Sequence, residues 1–399
     1  MIPFYRPYLD RSELIAVLRR GVGRSEFESA LAARVGARYG VAFAYGRSAI
    51  MASLKALNIS QADVTVPAYT CVVVAEAVIM SDNRPVFVDI DLADYNMDVQ
   101  ALKDALTPQT QAIIATHLYG YPTDVNAIRA VTGDDRVLII EDCASGLLTF
   151  SPGASGLCGD IGIFSFGPAK PLYTVQGGVA VTNSLDLYEK IRAYRDREMS
   201  QLPITVRAKR WARLAASYVV FNESVYGLLQ WARVVGAQKR TQAGSDSSPE
   251  EMPHDYAAAY TDFQARVGLA QLDKLDTVLA KRRALAELYD RELHDVPGLS
   301  PAPIVAGATY SYYTLRVERR DEIDFRHRML ARGIAVDQAY DYALPLLRPY
   351  RPYAKGEYPR AEQAAREVVN LPNYPGLSAA KAQYVAECVR RSLQESARL

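Results

Sequence analysis

Lys170, Asp142, Ser165 and the turn Gly46-Arg47-Ser48 are of types that could act together on one small anionic carbonyl compound. Lys170 closes Phe164-Ser-Phe-Gly-Pro-Ala-Lys170, an apolar strand running into a turn. A lone lysine in such a place is ordinarily solvated. To serve as a nucleophilic amine it must be held near a carbonyl, its pKa lowered by burial or neighbouring cations. Asp142 ends Val137-Leu-Ile-Ile-Glu-Asp142, a buried-looking strand that delivers two carboxylates at its carboxyl end. A carboxylate there can bind a metal, orient a histidine, cap the next helix or pair with a cationic ring nitrogen. Pyridoxal phosphate needs the last of these, because an aspartate beside the pyridine keeps it protonated and electron-withdrawing.

The phosphate of such a ligand needs a helix N-terminus or a nest of amides. Tyr45-Gly46-Arg47-Ser48-Ala49 reads as strand, glycine turn and helix start. Arg47 would add charge, Ser48 a hydroxyl, and Ser165 a second hydroxyl from the strand leading to Lys170. Read alone, Ser48 is equally well an N-cap. Gly21-Val22-Gly23 lacks the third glycine of a dinucleotide fingerprint. His117 ends the apolar run Ala112-Ile-Ile-Ala-Thr-His117 and reads equally as a pocket residue or a structural histidine. No HxxxH pair, His–Cys cluster or CxxC pair occurs, so no metal site is expected.

The elements that must position these residues alternate. Val41–Tyr45, Val64–Val66, Pro85–Asp89, Ala112–Thr116, Val137–Ile140, Asp160–Phe166 and Gly178–Thr182 read as strands. Helical patterns over Ser48–Leu57, Val99–Leu106 and Val125–Val131 separate several of them. This order predicts an α/β fold with a large doubly wound, mixed and mostly parallel sheet. Ligands bind such sheets beyond the carboxyl ends of the strands. Residues 1–250 are expected to form this large domain, with a helical insertion near 197–250. Within it, Trp211–Val235 reads as one or two amphipathic helices that pack on the protein or a subunit partner, a membrane surface being the other reading. Gln242–Glu250 reads as a linker. Residues 251–399 are expected to form a smaller α+β domain. It would hold a single helix from Phe263 to about Leu293, a strand at Tyr310–Val317, and helices at Phe325–Arg332 and Ser378–Leu393.

The 399 residues exceed the usual size of one core. Lys+Arg 46 against Asp+Glu 45 excludes a broadly basic nucleic-acid binder. Cys71, Cys143, Cys158 and Cys388 lie scattered in apolar segments, which fits reduced thiols and a cytoplasmic setting. Neither a signal peptide nor a transmembrane helix is expected from the pattern.

Taken in order, these motifs resemble the sugar aminotransferases of the DegT/StrS family, which are fold type I pyridoxal-phosphate enzymes. The resemblance rests on Arg84-Pro-Val-Phe-Val-Asp-Ile-Asp91, His117-Leu-Tyr-Gly120, Ile140-Glu-Asp-Cys-Ala144, and Gly159-Asp-Ile-Gly-Ile-Phe-Ser-Phe166 with Lys170 and Gly177-Gly178. It continues through Gln264-Ala265, Gly268 and Gln271-Leu272 and covers nearly the whole chain. It implies that Lys170 forms the internal aldimine and carries the proton. It implies that Asp142 pairs with the pyridine nitrogen, that Ser165, Gly46, Arg47 and Ser48 hold the phosphate, and that Ser145 lies near the cofactor ring. It further implies a homodimer and amino transfer from an amino acid, commonly glutamate, to a keto-sugar, commonly nucleotide-linked.

Two departures stand out. Pro67-Ala-Tyr-Thr-Cys71 puts Cys71 where the family usually stacks an aromatic ring on the cofactor, so the thiol or Tyr69 must do that work. Ala257-Ala258-Ala259 replaces an Asn-Tyr-Arg that serves the partner's phosphate site in the family. Two other functions fit the fold: a pyridoxamine-type sugar dehydratase or deoxygenase, and a non-catalytic ligand sensor. The first ordinarily replaces the lysine that is present here, and the second has no need of Asp142, Ser165 and Lys170 together.

Overall fold

A computed structural model describes residues 1–19, 21–133, 136–152, 154, 156–227, 253–317 and 322–396. Strands β1 (Tyr39–Phe43), β2 (Asp63–Pro67), β3 (Arg84–Val88), β4 (Thr110–Thr116), β5 (Leu138–Asp142), β6 (Ile161–Ser165) and β7 (Gly178–Thr182) form one sheet. Their order is β1-β7-β6-β5-β4-β2-β3. β7 runs antiparallel to both neighbours, and the other adjacent pairs are parallel. This is the mixed, mostly parallel sheet that the alternation predicts.

Parallel strands covered on both faces are buried along their length, as β2 and β5 are, and the antiparallel β7 is buried throughout as well. Successive side chains of β5 serve opposite layers. Ile140 packs in the cluster that contains Ile50 and Val74, from α3 (Gly46–Ala56) and α4 (Val72–Met80). Ile139 packs with Leu102 and Ile128, from the helices Val99–Ala105 and Val125–Thr132. Asp142 pairs in register with Thr116 of β4 and Ile163 of β6, so these carboxyl ends open at one level.

The second sheet is antiparallel, β10-β9-β8, from β8 (Leu299–Pro301), β9 (Tyr313–Val317) and β10 (Val368–Leu371). β9 starts three residues later than expected. Tyr310 sits at φ 46°, outside strand geometry, and its segment instead bonds to the Tyr119-Gly120 turn that follows β4. The long helix expected from Phe263 is two helices, Asp262–Leu272 and Leu275–Leu293. The break falls at Asp273-Lys274, where Lys274 turns to pair with Glu13 and, at 3.2 Å, with Asp10. Tyr260, Ala265 and Leu275 lie in one cluster with Phe27 and Phe166, so this stretch packs on the large sheet's flank.

Within the insertion, the helix begins earlier than the Trp211–Val235 pattern suggested. Pro203 starts the helix Ile204–Val220, which ends in a turn at Phe221-Asn222. Arg210, Leu214 and Ser217 form its buried face, and Leu214 packs with Tyr173, Phe263 and Val267. The described part of this helix is therefore docked on its own chain, while Ile204, Trp211 and Val219 are exposed. The end of the predicted stretch, toward Val235, and the Gln242–Glu250 linker lie outside the described residues. No helix among the described residues is long and apolar enough to cross a membrane.

Candidate active site

A cavity of about 220 Å³ opens at the carboxyl ends of β4, β5 and β6. Lys170, Asp142, Ser165, Gly46, Arg47, Cys71 and Ser145 all line it. Seven residues separated by up to 124 positions are thus brought together by the strand order. Ser48 is the exception: its Oγ donates to the Tyr256 carbonyl at 2.7 Å, and its side chain is not part of the wall.

Lys170 donates through Nζ to Ser145 Oγ at 3.2 Å. Burial lowers its pKa, and the Arg282 guanidinium lowers it further, against the opposing pull of Cys71 and Asp142. Asp142, 5% exposed, accepts the Ala144 N–H at 3.0 Å. Burial raises its pKa despite that bond and the nearby Lys170. Such a carboxylate gains most from a cationic partner in the cavity. At the far end, α3 begins at Gly46, and its first-turn amides have no intrahelical acceptors. A Cβ on Gly46 would lie 3.2 Å from the Ser165 Cβ, so glycine lets β6 and the helix start approach closely. The side chain of Arg47 stands in the wall while its Nη1 donates to Glu76 at 3.0 Å.

A wall with an amine, a buried carboxylate facing the cavity, and a helix start beside a hydroxyl fits pyridoxal phosphate at each end. Asp142 would hold the ring nitrogen, and Ser165 with the α3 amides would hold the phosphate.

The polar neighbours His117 and Glu141 are structural. Thr123 N–H donates to His117 Nδ1 at 3.0 Å, so Nε2 carries the proton and donates it to Glu141 Oε2 at 2.9 Å. His117 is fully buried and does not line the cavity. Glu141 Oε1 accepts the N–H groups of Cys158, at 2.7 Å, and Gly159. His117, Glu141 and Cys143 lie close enough to suggest a metal site, but these bonds already occupy the histidine and the carboxylate. The turn after His117 clasps the C-terminal region. Tyr119 and Gly120 have positive φ, and their carbonyls accept from Ser311 N–H (2.9 Å) and Thr309 N–H (3.0 Å). Ser311 Oγ then donates to the Ser145 carbonyl at 2.6 Å.

Sequence reasoning missed Tyr340 and Tyr45. Tyr340 reaches the wall from the C-terminal region, 170 positions after Lys170, and no local pattern marks it. Tyr69 does not take the aromatic place in the cavity. It is fully buried, its hydroxyl bonded to Tyr119 at 2.8 Å and to the Tyr340 carbonyl at 3.1 Å. Cys71 and Tyr340 are the residues that stand in the wall, and burial pushes the Cys71 thiol pKa up.

The sheet order, an aspartate at the end of β5, a lysine in the turn after β6 and a helix start in the same cavity match a fold type I pyridoxal-phosphate enzyme. The chain belongs to the DegT/DnrJ/EryC1/StrS aminotransferase family, whose model matches residues 11–390. It is 30% identical over 372 residues to UDP-N-acetyl-3-dehydro-α-D-glucosamine 3-aminotransferase of Acidithiobacillus ferrooxidans, covering 92% of this chain and 87% of that one. It is 29% identical over 393 residues to GDP-perosamine synthase of Caulobacter vibrioides, covering 94% and 93%. Among solved structures, the aminotransferase TlmJ of Streptoalloteichus hindustanus superposes with a TM-score of 0.79 at 26% identity, covering 100% of both chains. The protein is a sugar aminotransferase that uses pyridoxal phosphate.

Proposed function

We propose that this enzyme moves an amino group from an amino acid, glutamate, to a keto-sugar carried on a nucleotide. The observation that carries this reading is the meeting of Lys170, Asp142 and Ser165 with the first turn of α3 in one cavity. Two relatives support the acceptor class: the names of both the 3-aminotransferase and the perosamine synthase specify nucleotide-linked sugars. When bound, pyridoxal phosphate supplies the electron sink that makes the hydrogen on the donor's amino-bearing carbon removable. Lys170 is the amine that anchors it and then carries that proton, a task suited to a lysine whose pKa burial has lowered. Asp142 keeps the ring nitrogen protonated, while Ser165 and the amides of α3 hold the phosphate. Ser145 fixes the position of Lys170 Nζ. Cys71 and Tyr340, in the same wall, would limit the access of water to the ring.

The presence of Lys170 favours transamination over dehydration, since a dehydratase working from the amine form has no use for an anchoring lysine. The four free cysteines support a cytoplasmic location. The family resemblance supports a homodimer. The test is direct. With glutamate and a panel of keto-sugar nucleotides, the enzyme should release 2-oxoglutarate in equal amount to an aminated sugar nucleotide. A protein that forms neither product with any donor or acceptor of these classes contradicts the reading.

A further inference from the structure

We infer that the helix Ile204–Val220 and the segment after residue 253 brace the phosphate cradle from within the same chain, with Arg210 and Asp255 as positioning residues. The inference rests on the pyridoxal-phosphate reading of the cavity.

The start of α3 is tied down at two points. Tyr45, the residue before the helix, lines the cavity and donates its hydroxyl to Asp255 Oδ1 at 2.7 Å. Ser48 Oγ donates to the carbonyl of the next residue, Tyr256, at 2.7 Å. Two consecutive residues thus hold both ends of the turn that packs against Ser165. Asp255 is held in its turn. Its other oxygen accepts from Arg210 Nη2 at 2.6 Å and from Gln176 Nε2 at 3.3 Å. Arg210 Nη1 donates to Gln264 Oε1 at 2.8 Å, and Gln264 Nε2 donates to the Gln176 carbonyl at 2.7 Å. Gln176 directly precedes Gly177-Gly178, and a Cβ on Gly178 would lie 2.4 Å from the Gly46 nitrogen. One network therefore grips the helix start from both sides.

The charges explain why an arginine is buried there. A carboxylate one tyrosine away from a phosphate site repels the phosphate unless it is neutralised. Arg210, 1% exposed, supplies the opposite charge at Asp255. Burial and the Asp255 bond push the Tyr45 pKa up to about 12, so Tyr45 remains a hydrogen-bond donor to Asp255 across the working range. A buried ion pair is weak evidence for stability, and a role in fixing one geometry is the better reason to keep it.

The experiment compares binding of pyridoxal 5′-phosphate and pyridoxal to the full-length apoenzyme, followed by absorbance. Arg210→Met should weaken binding of the phosphate-bearing compound about tenfold, the effect of one uncompensated charge in a partly solvated site. Pyridoxal, which lacks the phosphate, should bind as to the wild type. Asp255→Asn added to Arg210→Met removes the stranded charge and should recover most of the loss, and Arg210→Lys should retain most of the affinity. Equal losses for both compounds, or no recovery in the double variant, would overturn the inference and leave Arg210 as a packing residue. A wild-type apoenzyme that binds the two compounds equally would instead overturn the cofactor reading itself.

Discussion

Lys170 is surrounded by groups that set its proton affinity in opposite directions. Burial and Arg282 lower it, whereas Asp142 and Cys71 raise it. Arg282 lies 2% exposed on the helix Leu275–Leu293 and donates to the Ser311 carbonyl at 2.6 Å, its own pKa lowered by burial to about 10. Because the net shift is downward, the amine of the apoenzyme should become reactive below the ordinary lysine value of 10.5. The rate at which pyridoxal and cyanoborohydride label Lys170, followed against pH, gives the midpoint. Asp142→Asn removes an anion and should move that midpoint further down. Arg282→Met removes a cation and should move it up. Shifts of the opposite sign would mean that these charges do not reach the amine. This balance is not legible in the sequence, because Arg282 lies 112 positions from Lys170 and nothing local to either marks the other.

The helix start and strand ends were legible as elements because their signals are local. Gly46 before a helical pattern and Asp142 after a run of Val, Leu and Ile need no tertiary information. The reach of individual side chains was not. Ser48 turns to Tyr256, 208 positions away, and Arg47 finds Glu76, a partner no spacing rule suggests. Gly178 shows an element-scale consequence. A methyl group there meets the Gly46 nitrogen at 2.4 Å, so Gly178→Ala must push the first turn of α3 away from β7. The substitution should cost about 1–3 kcal/mol by overpacking and weaken pyridoxal 5′-phosphate more than pyridoxal, as denaturation and absorbance titration would show. Glu141 gives a second prediction. Burial disfavours its charge, but His117 and the N–H groups of Gly159 and Cys158 outweigh this and hold its pKa below 4.5. A lowered carboxylate pKa stabilises the fold above the unfolded value and loses that contribution as the pH falls through the folded one. Glu141→Gln should cost about 1–3 kcal/mol near neutrality. Its melting temperature should then fall less steeply than that of the wild type below pH 4.5.

At the scale of the molecule, the two sheets are joined where Tyr119-Gly120 grips the 309–311 turn, and Tyr340, its ring packed on Tyr119, completes the cavity beside that joint. The alternation of strands and helices was enough to place the large sheet, since apolar runs of period two and near-period four follow directly from backbone geometry. The break at Asp273-Lys274 escaped the pattern because apolar residues continue through it, and what ends the helix is a tertiary pairing of Lys274 with Glu13. The proposed homodimer should sediment at twice the 44.1 kDa chain mass, and a monomer at micromolar concentration would contradict that proposal. The proposed chemistry as a whole depends on Lys170. Borohydride reduction of the protein loaded with pyridoxal 5′-phosphate, followed by peptide mapping, should place a single reduced pyridoxyl group on Lys170 and none on the Lys170→Ala variant. An adduct on any other lysine, or no adduct at all, would contradict it.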